Sequence, residues 1–351
     1  MPNKVGIVIV TWDGWDLLER CLATVAAQTI ADDLRIVIVD NGSKDGTVEH
    51  LHADYPHIQV IALPENTGFA SPNNLGIVEA LKDPGIEYIL TLNNDIELTP
   101  TFVAELVASA ERHPEAGSIQ GKLFRLNKKE MIDAVGILVY PDMSAMNRGQ
   151  YDIGAQLYNK EEEIFGPSAS AALYRREALE KTVLPADNFF DAAYFAYYED
   201  VDLAWRLRLA GYSSWYTPDA ISYHAHSATG VSHSPFKVYH IHRNQYFNMI
   251  KLLPFPLLCI ALAIMPFRYV LLASSVLKKR GPAAQLSKKT EGPSMVAIVL
   301  KSWLHVLSHL PYLLRMRRAV QRTRVVSVRT IWRWFKLYRA NIRTMIYGQE
   351  S

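Results

Sequence analysis

The chain has 351 residues, 49% of them hydrophobic and 21% charged, the make-up of an ordinary globular protein with room for one large or two moderate domains. Two cysteines, Cys21 and Cys259, exclude a disulfide framework or a cysteine metal cluster and point to a reducing, cytosolic setting. The net charge of +2 conceals a division, because residues 1–250 hold 19 Lys and Arg against 33 Asp and Glu, whereas residues 251–351 hold 18 against 2. The acidic part is therefore expected to be one unit and the basic tail another, meeting either nucleic acid or an anionic membrane surface.

The N-terminus enters a strand pattern within a few residues and carries no signal-peptide pattern. Val5–Val10 is a continuous apolar run, as in a strand buried on both faces, and Thr11-Trp12-Asp13-Gly14 breaks it. Leu17, Leu18, Cys21, Leu22 and Val25 then recur at helical spacing from Trp15 to about Gln28. Arg35–Val39 reads as a second strand ending in Asp40-Asn41-Gly42-Ser43, and Ile58–Leu63 as a third. The stretch from Glu65 to Gly76 leads into a helix reaching about Leu81, and Tyr88–Leu92 is a fourth strand ending in Asn93-Asn94-Asp95. Repeated apolar strand, polar turn and helix predicts a parallel, doubly wound α/β sheet. In such sheets ligands collect at the carboxyl ends of the strands.

The turns lack G-x-G-x-x-G, a P-loop and a G-x-S-x-G elbow, which leaves dehydrogenase, P-loop and α/β-hydrolase readings unsupported. They carry Asp13, Asp40, Asn66, Asn73, Asn74 and Asp95 instead. Such carboxylates and amides bond a base edge and ribose hydroxyls, while glycines let backbone N–H groups approach phosphates. A carboxylate at the end of a central strand suits a hard divalent cation.

Thr101 to His113 reads as a helix, the stretch to Ala172 as mixed, Glu161-Glu162-Glu163 as a solvated face and Leu173 to Leu179 as a short helix. An aromatic segment, Asn188 to Tyr198, leads to Glu199-Asp200-Val201-Asp202 at the start of a helix that Gly211 ends. Asp202 suits the helix dipole and an i,i+4 pair with Arg206, whereas the aromatic approach suits Asp200 as a base. A last short strand from Trp215 brings His224 and His226 to one face.

In order, VIVTWDG, VIVDNGSKDGT, ENTGFASPNNLGI, LTLNNDIEL, SASAALYRREAL, AYYEDVDLAWRLRLAGY and YHAHSATG resemble family 2 glycosyltransferases of the GT-A fold over roughly residues 3–250. The likeness is to the rhamnosyltransferase-like and galactofuranosyltransferase-like branch. The resemblance implies a Rossmann-like, mostly parallel sheet with helices on both faces, and inverting transfer from a nucleotide sugar with Mg²⁺ or Mn²⁺. It implies that Thr11, Asp13, Asp40 and the loop with Asn66, Gly68, Phe69, Ala70, Asn73 and Asn74 hold the nucleotide sugar, together with Asn94 and Asp95. By the same likeness Asp95 and His224 take the metal, Asp200 is the catalytic base, and Glu199 and Trp205 are acceptor-side candidates. Asn93 replaces the first acid of the family's Asp-x-Asp motif, and Pro72 lacks the N–H that a phosphate contact would need.

Beyond residue 250, Lys251 to Leu277 is strongly apolar and long enough to span a bilayer, interrupted by Pro254, Pro256, Pro266 and Arg268. Met295 to Leu314 is a second apolar stretch, with Lys301, His305 and His309 as one polar stripe. Ten more Lys and Arg follow in 315–343, interleaved with Trp332, Trp334 and Phe335. A spanning hairpin would place the basic linker 278–294 outside, against the positive-inside rule. The expectation is therefore a helical region, 251–351, lying at the cytoplasmic face of the membrane, held by anionic lipid and not by nucleic acid. A body cut after about residue 250 is expected to fold alone. The function expected is transfer of a sugar, rhamnose from dTDP-rhamnose among the candidates, to a polyprenyl-linked or other glycan acceptor of cell-surface polysaccharide synthesis. The alternative is a non-catalytic nucleotide-sugar-binding scaffold, which Asn93 keeps open.

Overall fold

The computed structural model of the chain describes residues 4–154, 156–225, 234–279 and 295–342. His226, the end of the last motif and most of the basic linker lie outside the described residues. In chain order, β1 (Val5–Thr11) leads to α1 (Trp15–Ala26), β2 (Leu34–Asp40) to α2 (Thr47–Asp54) and β3 (Gln59–Ala62) to α3 (Ala70–Ala80). Next come β4 (Tyr88–Asn93), β5 (Ile96–Leu98) and α4 (Phe102–Arg112). These follow the apolar runs: α1 buries Leu18, Cys21, Leu22 and Val25 along one side, the expected spacing. α3 lies so close to β1 that a Cβ on Gly76 would stand 2.3 Å from the Val8 side chain.

The second half of the sheet is denser than the sequence suggests. It contains β6 (Ala116–Arg125), β7 (Lys128–Ala134), β8 (Ile137–Val139), β9 (Ala145–Asn147), β10 (Glu162–Glu163) and β11 (Ala171–Arg175). α5 (Arg176–Thr182), α6 (Glu199–Leu209) and β12 (Ser213–His224) complete it. The strand order is β10-β12-β6-β11-β4-β1-β2-β3, with β5 on β12 and β7 on β6, and β8 and β9 form a separate hairpin. β1, β2, β3 and β4 run parallel, while β11 is antiparallel to both its neighbours. The expected α/β class with helices on both faces holds, with a mixed sheet.

Two local expectations are corrected. Leu173–Leu179 is not one helix, because Ala171–Arg175 is inserted between β4 and β6 and the helix starts only at Arg176. A short apolar run does not distinguish the two states, and sheet pairing decides. The acidic run is not merely solvated, since Glu161, Glu162 and Glu163 pair with Arg112, Arg148 and Arg208 at 2.8, 2.7 and 2.9 Å.

The tail consists of α7 (Pro235–Leu252), α8 (Phe255–Leu277), α9 (Met295–Ser308), α10 (Leu310–Thr323) and α11 (Val328–Leu337). The boundary expected at residue 250 falls inside α7. One apolar cluster joins Phe165, Val201 and Trp205 of the body to Phe247, Leu257, Leu313 and Phe335 of the tail. Lys251 is fully buried between Asp191 and Asp202, 2.8 Å from the latter, and Tyr312 of α10 donates to Asp191. The charge division is therefore not a fold division, and a body cut after residue 250 would lose part of its own core. By length and composition α8 is the one helix among the described residues that could cross a membrane alone.

Candidate active site

Parallel register aligns the carboxyl ends of three strands: Thr11 stands opposite Asp40, and Val10 opposite Asn93. At that edge the Asn94 amide donates to the Thr11 hydroxyl at 3.0 Å. Asp40 accepts from Gly42 N and Ser43 N at 3.2 and 3.0 Å through one carboxylate oxygen. Among the described residues no donor reaches its other, buried oxygen. A buried acceptor left open is expensive, and an imide N–H of a pyrimidine base would satisfy it. Asp13, at φ 43°, accepts from Lys44 N at 2.7 Å and so ties the first turn to the second. Asn41, which the sequence did not single out, donates to Gly68 O at 2.8 Å and holds the second turn to the third.

The third turn departs from expectation. Asn66 accepts from Gly68 N at 2.9 Å and shapes the turn. Gly68 has φ +88°, and a Cβ there would meet Phe195 O at 2.3 Å, so only glycine allows this approach. α3 then begins at Ala70, which turns Asn73 and Asn74 away from the crevice. Asn73 donates to Phe69 O at 2.8 Å. Asn74 donates to Phe190 O at 2.7 Å and accepts from Phe190 N at 2.8 Å. Both side chains are buried and bonded within the protein, Asn74 at both ends of its amide, so they support the loop. Ala70 is likewise buried, and Phe69 is the member of this group that lines the cavity described below.

Asp95 and His224 meet, with 3.2 Å between Oδ1 and Nε2. Behind the histidine, Asp133 stands 2.9 Å from Nδ1. Burial opposes a charge on this imidazole, but Asp133 and Asp95 overturn that and hold its pKa up to about 9. Ligands at about 2.1 Å on adjacent vertices of an octahedral ion lie about 3 Å apart, so the Asp95–His224 spacing fits two donors to one cation. Asp133 fits the role of fixing the ring from the far side. Among the described residues no group of three or more His, Cys, Asp or Glu converges as a metal cage.

Across the cavity stands the acid pair. The chain reaches it through Phe195, Tyr197 and Tyr198, all left-handed at φ 63°, 68° and 72°. Such residues cost about 1–3 kcal/mol each and persist only where their surroundings hold them. Here Asn244 of α7 donates to Ala196 O and Tyr197 O at 2.9 and 2.6 Å, and Phe195 O accepts from Phe69 N at 2.5 Å. Glu199 is buried, and that burial with the neighbouring Asp200 charge pushes its carboxyl well above the usual range. Burial also raises Asp200, to about 6, against backbone N–H groups of Val201 and Ala169 that favour its charged form. Burial thus favours the protonated form of Glu199, while the N–H groups facing Asp200 leave it the better placed of the two to accept a proton. Asp202 faces inward instead, 2.8 Å from both Arg206 and Lys251. Trp205, expected on the acceptor side, is fully buried against Phe165 and Phe335 and does not reach the cavity.

The cavity has a volume of about 620 Å³ and brings together Asn94, Asp95, His224, Glu199 and Asp200. Asn93 lines it too. Sequence reading missed Asp133, Asn147 and Lys237 on its wall, because no local motif marks them and the sheet and α7 alone bring them in.

A family model described as Glycosyl transferase family 2 matches residues 6–183. The chain is 29% identical over 259 residues to an N-acetylglucosaminyl-diphospho-decaprenol L-rhamnosyltransferase of Mycobacterium tuberculosis, covering 66% of this chain and 79% of that one. It is 29% identical over 213 residues to an N-acetylglucosaminyltransferase of Rhizobium meliloti, covering 58% and 47%. Among solved structures, GalNAc-T7 with UDP, GalNAc and Mn²⁺ is similar with a TM-score of 0.55 at 14% identity, covering 70% of this chain and 48% of that one. S. aureus TarS is similar with a TM-score of 0.51 at 18% identity, covering 74% and 42%. These two likenesses concern the fold.

Proposed function

The chain belongs to glycosyl transferase family 2 and is a glycosyltransferase, and from that premise we propose that it transfers a sugar with inversion to an N-acetylglucosaminyl-diphospho-lipid. The donor proposed is dTDP-rhamnose, after the activity printed for the Mycobacterium tuberculosis relative and the open pyrimidine-seeking oxygen of Asp40. The observation that carries the reading is the pairing of a base near neutrality, Asp200, with the Asp95–His224 pair across one cavity.

Asp200 takes the proton of the acceptor hydroxyl as that oxygen attacks the anomeric carbon. Glu199, whose burial favours its protonated form, limits negative charge beside the attacking oxygen. Thr11, Asp13, Asp40 and the Asn66–Gly68 turn hold the nucleoside, and Asn94 lies where the diphosphate passes into the cavity. Mg²⁺ or Mn²⁺, when bound by Asp95 and His224, would neutralise the charge that develops on the leaving nucleoside diphosphate. Direct displacement needs no carboxylate nucleophile.

The membrane reading rests on α8 and its neighbours. Leu257, Ala261, Met265 and Arg268 are buried against the body, and Arg268 reaches Asp142 at 3.2 Å. Phe255, Phe267 and Val270 stand 71%, 57% and 64% exposed on the rest of the helix. A helix whose central arginine is bound to the catalytic body is poorly placed to span, so we infer that α8 lies in the cytoplasmic interface with its exposed side in lipid.

The test is a panel of nucleotide sugars offered with an N-acetylglucosaminyl-diphospho-polyprenol. Rhamnosylation of the lipid from the dTDP donor is expected. Turnover of another donor alone would replace the sugar, and absence of any transfer or donor hydrolysis would revive the scaffold reading.

A further inference from the structure

We propose that Lys237 binds a diphosphate inside the cavity, and that this diphosphate is the acceptor's. The second half rests on the diphospholipid acceptor proposed above; the first does not.

Lys237 lies in the first turn of α7, where the positive end of the helix dipole disfavours a cation. Its side chain lines the cavity. Among the described residues no carboxylate comes within ion-pair distance of it. The contact its ammonium makes is the face of Tyr197, 5.3 Å from the ring centre. Burial lowers its pKa, and Asp133, which opposes this, is already engaged by His224 at 2.9 Å and Arg125 at 3.6 Å. A partly desolvated cation without a counter-charge is costly unless an anion arrives. The cavity is where an anion would come from.

The surroundings favour the acceptor's anion over the donor's. Tyr197 belongs to the strained segment that ends in Glu199 and Asp200, so the ammonium sits over the acceptor-base side. On that side the cavity wall is the β8–β9 hairpin, through Ile137, Ala145 and Met146. The same hairpin is bonded to the base loop, with Ala145 N donating to Tyr198 OH at 2.9 Å. Its turn, at Asp142, is held by Arg268 of α8. A chain of contacts thus ties α8, through Arg268 and Asp142, to the hairpin and the loop that carries Asp200. A lipid-linked sugar entering the cavity past the hairpin, from the side of α8, would bring its diphosphate between the lipid end and the sugar end, where Lys237 stands.

The experiment uses the full chain in three forms: wild type, Lys237→Met and Lys237→Arg. Inorganic pyrophosphate is titrated calorimetrically in excess EDTA, which silences the metal route. Kinetics are then compared with a diphospholipid acceptor and with an uncharged N-acetylglucosaminyl glycoside on a similar lipid, and donor hydrolysis is followed separately. A charge-assisted contact predicts a rise of about 10- to 100-fold in the diphospholipid KM for Lys237→Met, largely restored in Lys237→Arg. The uncharged glycoside and donor hydrolysis should be unaffected, and pyrophosphate binding should weaken. If donor KM and hydrolysis change instead, the diphosphate bound is the donor's, which upholds the subsite and overturns its source. If both acceptors lose equally, or pyrophosphate binding and all kinetics stay unchanged, there is no diphosphate subsite. A wild type that uses no diphospholipid would refute the acceptor reading alone, since the pyrophosphate titration still reads Lys237.

Discussion

Asn244 donates to Tyr197 O at 2.6 Å, so a side chain in the middle of α7 holds a left-handed residue two positions before the acid pair. The same amide reaches Ala196 O, while Arg243 donates to Ala193 O at 3.0 Å. The segment carrying Glu199 and Asp200 is thereby fixed by a helix that charge counting assigns to the acidic body except for its last two residues, Lys251 and Leu252.

Asn244→Asp keeps the shape and loses both amide donors, so the loop should relax. A misplacement of about 1 Å is enough to cost on the order of 100-fold in rate. Turnover is expected to fall by about that much, with donor affinity little changed in a nucleotide titration. Equal loss of donor binding would mean that the whole crevice had collapsed.

The strand-end residues proposed to hold the donor are the ones that local pattern marks. Apolar runs ending in Thr11, Asp40 and Asn93 are local, and parallel pairing needs only those runs to align their ends. The opposite wall of the cavity, proposed for the acceptor, is marked only in part: Glu199 and Asp200 stand out in an aromatic segment, but Asp133, Asn147 and Lys237 come from elements with no motif. Asn73 and Asn74 misled because amides in a loop and amides in a first helical turn look alike in sequence. Trp205 misled for a related reason, since an aromatic next to a functional motif can face either way around a helix. Charge counting failed to find the domain boundary because Lys251, counted with the basic tail, neutralises Asp202 in the body's own core.

Asp200→Asn should lower transfer by about 10²–10⁴-fold with donor affinity nearly intact. With its pKa raised to about 6, Asp200 is protonated below that value and cannot accept a proton. Wild-type turnover should therefore rise with pH through about 6 and level off above it, and the residual rate of the variant should lack that step. A variant turning over at wild-type rate would remove Asp200 from the mechanism.

Asp95→Ala and His224→Ala should each reduce transfer, and added Mn²⁺ should partly rescue the histidine variant because Asp95 remains. Asp133→Asn, which leaves both proposed donors in place, should weaken the response to metal by about 10- to 100-fold through loss of ring orientation. Metal titrations of transfer check all three. Full activity of the wild type in excess EDTA would count against the metal for every one of them.

Lys251→Met leaves Asp191 and Asp202 buried without their shared cation. Removing one partner of a buried pair costs about 3–5 kcal/mol, so the melting temperature should fall sharply, and a chain ending at residue 250 should not give a cooperative transition. Burial disfavours the Asp202 charge, yet Lys251 and Arg206 hold its pKa below the usual carboxylate range. Its stabilisation is thus full above the unfolded carboxylate value and lost as pH falls through the lowered one. Loss of Lys251 should weaken that acid dependence in thermal melts run across pH. A soluble, cooperatively melting 1–250 fragment would restore the division read from the charges.

Cys259 offers a test of how α8 meets the membrane. It is a free, exposed thiol on the helix, whereas Cys21 is free and buried and supplies an internal control. Leu257, Ala261 and Arg268 fix the other side of α8 to the body, so Cys259 lies on the side proposed to enter lipid. A water-soluble maleimide should label Cys259 readily in the protein off the membrane. Binding to vesicles containing anionic lipid should slow that labelling several-fold, and added salt should restore it as the basic tail is screened away from the surface. Phe267→Asp and Val270→Asp place charges on the same side and should release the enzyme from vesicles while sparing transfer to a soluble acceptor. Labelling that is as fast on vesicles as in solution would place this side of α8 in water and end the interfacial reading.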